Sequence, residues 1–243
     1  MPTPVRYPSG VSTAVKGSAL FNHPAEDPTK LISYWNDFTT EAAPVAADWT
    51  ITLVNSASNP VIYTDAHGGV LLFTTTGAEN DGVQIQKKGE FWLPAAAKKF
   101  WFKTRFKVSE ATQSDFLIGM TVTDTTAIAA DGDGVTDGVF FQKDDGSTSV
   151  GLYCQKDATT GQLITTGVHT LVDDTYVSLG YYYDGTRYLK YYVNDVHTGT
   201  ADLTTTVTTY LPDTELTVTL ALLTGSAAAR TMSTDYVYFA AER

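Results

Sequence analysis

Side chains able to do chemistry are spread thinly along this chain, and their spacing argues against most kinds of it. Cleaving a glycosidic bond takes two carboxyl groups at a set separation, one acting as acid and the other as base or nucleophile. All seven glutamates (Glu26, Glu41, Glu79, Glu90, Glu110, Glu215 and Glu242) stand alone, and no Glu-x-Asp-x-x-Glu run occurs. The pairs Asp144-Asp145 and Asp173-Asp174 fall at turns, where a carboxylate bonds backbone N–H groups. Cys154, the single cysteine, lies in an alternating segment and reads as a small buried or half-exposed residue; no internal disulfide can form. His23, His67, His169 and His197 are scattered, without the close pair that a zinc site uses. No glycine loop has the spacing that cradles phosphate. The expectation is a chain with no enzymatic activity, no catalytic residues and no cofactor.

Two further groupings could bind something. Asp131, Asp133 and Asp137 alternate with Gly132 and Gly134, and aspartate oxygens in such a loop can wrap a calcium ion. Val135 and Thr136 stand where a ligand and a glycine would be wanted, and no glutamate closes the run. The reading is a glycine-rich hairpin loop, with no metal. Trp35, Trp49, Trp92, Trp101 and the cluster Tyr181 to Tyr183 could stack on sugars, although aromatic residues in strands usually face a core.

The elements that would carry these residues are strands. From Phe100, the residues Phe100, Phe102, Thr104, Phe106 and Val108 face one way and Trp101, Lys103, Arg105 and Lys107 the other. That pattern predicts a strand with an aromatic core side and a basic outer side, its cations paired with carboxylates across the sheet. Residues 50–54 and 61–65 are expected to pair with each other. Residues 68–76 are apolar on both faces and should lie inside a sandwich. Val83 and Ile85 face inward, as do Phe116, Ile118, Met120 and Val122. Strands are also expected at 139–143, 149–157, 163–168, 215–225 and in STDYVYFAAER at the end of the chain. Between Thr175 and Gly199, alternation interrupted at Asp184-Gly185 and at Asn194-Asp195 predicts a three-strand meander.

That meander resembles the central hairpin of LamG-like, concanavalin A-type jelly rolls, through Tyr183, Asp184, Gly185, Tyr192, Val193, Asn194 and Gly199. Asp195 departs from the glycine common in that family, and aspartate also accepts the turn conformation. The resemblance implies an all-β, two-sheet antiparallel jelly-roll sandwich over residues 31–243 whose first and last strands pair, placing Tyr34 to Phe38 beside Asp235 to Tyr238. It says little of activity, because the fold hosts lectins, glycanases, adhesion modules and virion proteins.

Residues 1–30 hold five prolines and no strand or helix period, and so predict an extended N-terminal arm. Apolar residues dot it, and Arg6, Lys16 and Lys30 outnumber Glu26 and Asp27. The formal net charge of the whole chain is −11, which argues against nucleic acid or an anionic membrane as partner. The opening has no apolar core of a signal peptide, so synthesis in the host cytoplasm is expected. MPTPVRYPSGVSTA, KVSEATQSDFLIGMTVTDTT, DGVFF and YYYDG together resemble small proteins that decorate or cement the heads of tailed phages. That resemblance implies a structural virion protein on the outer capsid surface, a dimer or trimer bound to the major capsid protein. Val5, Arg6, Tyr7, Val11, Lys16, Leu20 and Phe21 of the arm are the expected contacts. The alternative is a lectin-like module or tail-fibre component that recognises a host surface glycan.

Overall fold

A computed structural model describes residues 30–39, 43–44, 46–55, 57–63, 68–95, 97–128, 134–158, 163–203 and 210–243. The arm residues Val5, Arg6, Tyr7, Val11, Lys16, Leu20 and Phe21 lie outside them, as do Asp131 and Asp133. Fifteen strands follow one another: β1 (Leu31–Asn36), β2 (Trp49–Val54), β3 (Ser58–Tyr63), β4 (Val70–Thr74), β5 (Gly82–Lys87), β6 (Phe100–Val108), β7 (Ser114–Thr121), β8 (Gly138–Lys143), β9 (Ser149–Gln155), β10 (Leu163–Thr170), β11 (Val177–Tyr183), β12 (Tyr188–Val193), β13 (Val196–Asp202), β14 (Thr217–Thr224) and β15 (Thr231–Glu242). They form two antiparallel sheets. The eight-stranded sheet runs β13-β12-β11-β6-β15-β4-β3 with β1 also on β15, and the seven-stranded sheet runs β10-β9-β8-β7-β14-β5-β2. This is the two-sheet jelly-roll sandwich expected from sequence.

Alternation sets the core. Phe100, Phe102, Phe106, Tyr181, Tyr183 and Phe239 of one sheet meet Phe116, Ile118, Phe141, Leu220 and Leu222 of the other, all buried. Phe106 packs on Phe116 at 4.9 Å and Tyr181 on Phe141 at 5.7 Å between ring centres. The Tyr181 hydroxyl reaches across the sandwich and donates to the Val139 carbonyl at 2.7 Å, which satisfies a polar group that burial would otherwise penalise. The first and last strands do pair, Tyr34 opposite Phe239 and Trp35 opposite Tyr238.

The expected pairing of residues 50–54 with 61–65 is wrong. β2 pairs with β5, whereas β3 pairs with β4 in the opposite sheet. Both segments alternate correctly; which neighbour each one takes is decided by contacts far apart in sequence.

The two outer faces differ. On the seven-stranded sheet, the outward side chains Leu117, Phe140, Ala221 and Leu223 are buried beneath Ala127, Ile128 and Val135 of the β7–β8 connection. Gln86 Nε2 donates to the Val122 carbonyl at 3.0 Å and its Oε1 accepts from Asp124 N at 3.0 Å, so the connection is tied to the sheet by polar as well as apolar contacts. On the eight-stranded sheet, β6 alternates strictly between buried and half-buried residues. Among the described residues, nothing covers that face.

Candidate functional site: an aromatic groove on the open sheet face

Strand register assembles the open face from residues distant in sequence. One row across the sheet reads Trp35 (β1), Tyr238 (β15), Lys103 (β6), Gly180 (β11), Tyr192 (β12) and His197 (β13). The next row reads Ser33, Ala240, Trp101, Tyr182, Lys190 and Thr200 along the same strands. A bulge at Asp235 keeps Tyr236 and Tyr238 outward while Thr234 and Val237 both face the core.

Between these side chains lies a groove of about 340 Å³, lined chiefly by Trp101, Lys103, Gly180, Tyr182, Tyr192 and Asp195, with Tyr238 along its edge. Gly180 makes the depth. A Cβ there would come 3.0 Å from the Phe102 carbonyl oxygen of the neighbouring strand β6, so the floor does not readily accept a side chain. Trp101 and Tyr182 stack on one wall with centres 5.2 Å apart and planes 23° from parallel. Tyr192 flanks the floor and leans on His197, centres 5.4 Å apart. Tyr238 and Tyr192 are three strands apart, a span of roughly 14 Å at about 4.8 Å per strand. Trp35, 65% exposed, extends the aromatic surface one strand further.

The polar groups of the groove come from the tight turn between β12 and β13. Asn194 and Asp195 both adopt left-handed backbone, φ 50° and 66°, the geometry of a two-residue hairpin turn. Asn194 Oδ1 accepts from Ser178 N at 3.0 Å and pins the turn to β11. Asp195, where the family resemblance has glycine, reaches back to Lys103 Nζ at 2.5 Å. Burial works against the charge on Lys103, but hydrogen bonds with Asp195 and Tyr236 outweigh it and hold the ammonium above its ordinary range. The other β6 cations are paired as the alternation predicts, Arg105 with Asp235 and Lys107 with Asp174.

Several sequence candidates fall elsewhere. Trp49 and Trp92 are core residues, 2% and 3% exposed, and Tyr181 and Tyr183 point inward; of the sugar-stacking set, Trp35, Trp101 and Tyr182 reach the open face. Tyr192, Tyr238 and Gly180 are groove residues that the sequence reading did not name as binding residues; Tyr192 entered it through the hairpin resemblance and Tyr238 as a partner of the first strand. Cys154 is fully buried, its thiol pushed up to about 12 by burial. Asp137, from the candidate calcium loop, is buried, and burial raises its carboxyl. Its oxygens lie within 4.8 Å of those of Asp157 and Asp213, and Lys156 already pairs with Asp213.

No family model matches this chain, and no curated protein matches it. Solved structures do. The chain is similar to an endo-1,3-β-glucanase from Streptomyces sioyaensis, with TM-score 0.60, 12% identity, and coverage of 90% of this chain and 98% of that one. It is similar to the carbohydrate recognition domain of Emp47p, with TM-score 0.60, 13% identity and coverage of 88% and 98%. It is also similar to an endo-β-1,4-glucuronan lyase from Trichoderma reesei, with TM-score 0.58, 10% identity and coverage of 85% and 94%. The expectation of a chain without enzymatic activity is corrected here. It rested on the absence of one carboxylate motif, and the matched fold carries a glucanase and a lyase as well as a lectin domain, so neither the motif nor the fold excludes catalysis. At these identities the likeness shows the fold alone: a concanavalin A-like, lectin-like jelly-roll sandwich.

Proposed function

We propose that this chain binds glycans in the groove across the open face of its eight-stranded sheet. One observation carries the reading: half-buried aromatic rings on the sheet's outer face flank a glycine-floored groove with a charged pair at its side. Pyranose rings present C–H faces that pack on flat aromatic surfaces and rims of hydroxyl groups that need hydrogen-bond partners. Trp101, Tyr182, Tyr192 and Tyr238 supply the first. Lys103 donates and Asp195 accepts, supplying the second. A sugar chain laid across the strands from Tyr238 to Tyr192 would meet both kinds of group along its length. The glycan-binding and glycan-cleaving proteins that share the fold lend support to a sugar ligand over other small molecules.

The test is binding to a broad glycan array, followed by calorimetry with the best ligand for wild type, Trp101→Ala and Tyr192→Ala. Both positions are on the surface, so the variants should melt near wild type while losing about tenfold or more in affinity, the effect of about 1.4 kcal/mol in lost ring contact. An array without specific binding, or variants that bind as wild type does, would refute the reading. Removing residues 1–29 should leave glycan affinity unchanged. The expected role on a phage capsid rests on a resemblance of short motifs along the chain, and neither the groove nor the matched structures support it.

A further inference from the structure

Charge is unevenly distributed along the groove. At the β15 and β1 end the outward residues are Tyr238, Ala240, Trp35 and Ser33, all uncharged. In the middle Lys103 is neutralised by Asp195. At the β12 and β13 end stand Lys190 and His197. Lys190 Nζ lies 5.9 Å from the centre of the Tyr182 ring, beside the Trp101–Tyr182 stack, and among the described residues no carboxylate pairs with it. The nearest acidic residue along β13, Asp202, is held by Arg187, whose Nε donates to its Oδ1 at 2.9 Å. Next to Lys190 across the strand is Thr200, whose hydroxyl is 3.0 Å from His197 Nε2. In a protein whose net charge is −11, every β6 cation on this face has an acidic partner, and Lys190 has none among the described residues.

Resting on the glycan reading above, we infer that the groove takes a sugar chain bearing a carboxylate, seated at the Lys190 end with Thr200 and His197 at its side. An ammonium over an aromatic wall, without counter-charge from the described residues, is placed to pair with a negative group on a sugar stacked against Tyr182, where partial exclusion of water strengthens the pair. The same net charge repels densely charged polymers. The ligand is therefore a glycan with an isolated or widely spaced uronic acid, and heavily sulfated chains are disfavoured.

The experiment uses the full chain against a panel of uronic-acid oligosaccharides and the same oligosaccharides after reduction of the carboxyl groups to alcohols, with heparin as a densely sulfated probe. The expected result is about tenfold tighter binding of the acidic form than of its reduced counterpart, the scale of one charge-assisted hydrogen bond partly shielded from water. Lys190→Met should abolish that preference and leave affinity for the reduced form unchanged. Lys88→Met, which removes the same charge beyond the end of β5, should not alter it. Equal binding of acidic and reduced forms by wild type, tightest binding of heparin, or a preference that survives Lys190→Met would overturn the inference and leave the glycan reading standing. If no member of the panel or of the wider array binds, both fall together.

Discussion

Asp184 is the residue on which the β11–β12 hairpin, and with it one wall of the groove, turns. Its Oδ1 accepts from the backbone N–H groups of Thr186 at 2.9 Å, Arg187 at 2.7 Å and Tyr188 at 3.0 Å, and from the Thr186 hydroxyl at 3.1 Å. Gly185 follows in left-handed backbone, φ 83°, against the Ala97 and Lys98 backbone. Replacing Asp184 by Ala strips three N–H groups of their acceptor. The turn is accessible to water, which partly replaces the lost bonds, so the cost should match a strong capping residue, about 2 kcal/mol. Asp184→Asn keeps an Oδ1 acceptor and loses only the charge, at about 0.5–1 kcal/mol. Partial burial pulls the Asp184 carboxyl upward, but the N–H groups of Arg187, Tyr188 and Thr186 overcome it and hold it below its usual value. A carboxyl lowered in the folded state contributes stability in full above its unfolded value, about 3.9, and loses it as pH falls through the folded value. Urea unfolding followed by tryptophan fluorescence should therefore show Ala worse than Asn and Asn worse than wild type at neutral pH. With a slope of about 2–3 kcal/mol per molar urea, the Ala midpoint should fall by about 0.7–1 M. The gap between wild type and Asn should close as acidification takes the pH below the unfolded carboxyl value and on through the lower folded one. Asn as damaging as Ala, or a gap indifferent to pH, would refute the reasoning.

Asp195→Gly should barely move the melting temperature, since relief of the left-handed backbone, about 1 kcal/mol, offsets loss of an exposed ion pair worth about 0–1 kcal/mol. It should instead change glycan affinity by freeing Lys103, so a large loss of stability by thermal melting would contradict the geometry. Cys154 donates to the Tyr210 carbonyl at 3.2 Å, and burial pushes its thiol up to about 12. Near neutral pH a disulfide reagent should therefore react roughly a thousandfold more slowly than with a free thiol, and fully in urea; prompt reaction of the folded protein would show the site to be open. Tyr181→Phe removes the hydroxyl that joins the two sheets and should cost about 1 kcal/mol in urea unfolding, with glycan binding unaltered.

Much of the scaffold can be read from the residues alone, because burial on one face of a strand writes itself as period two. Phe100 to Val108 announces both its aromatic side and its basic side, and the pairing of Lys103, Arg105 and Lys107 with acids follows. Tyr183-Asp184-Gly185 and Tyr192-Val193-Asn194 reveal the meander, and the hydrogen bonds of Asp184 and Asn194 are the reason those residue types occur there. Partner choice is less visible: nothing local in residues 50–54 or 61–65 says that they join different sheets. The groove is harder still to read, since Trp35, Trp101, Gly180, Tyr192 and Tyr238 meet only through the register of five strands. Alternation shows that they share a side of the sheet but not that this side stays uncovered. The covering of the opposite sheet did leave a trace, since Val139 to Phe141 and Leu220 to Leu223 are apolar at consecutive positions, as strands buried on both sides must be.

The bulge at Asp235 has a consequence for how this surface tolerates change. Before it, even-numbered residues of β15 such as Met232 and Thr234 face the interior; after it, odd-numbered residues such as Val237 and Phe239 do. One extra residue thus resets the phase of the strand midway. Excising Asp235 itself would only remove the bulge and leave Thr234, Tyr236 and Val237 in plain alternation, whereas excising Val237 would swing Tyr238 toward the aromatic interior and Phe239 into water. Loss of the extra residue is thus the one change of length this strand can absorb, and an insertion or deletion elsewhere along β15 would exchange inside and outside over the part of the strand beyond it.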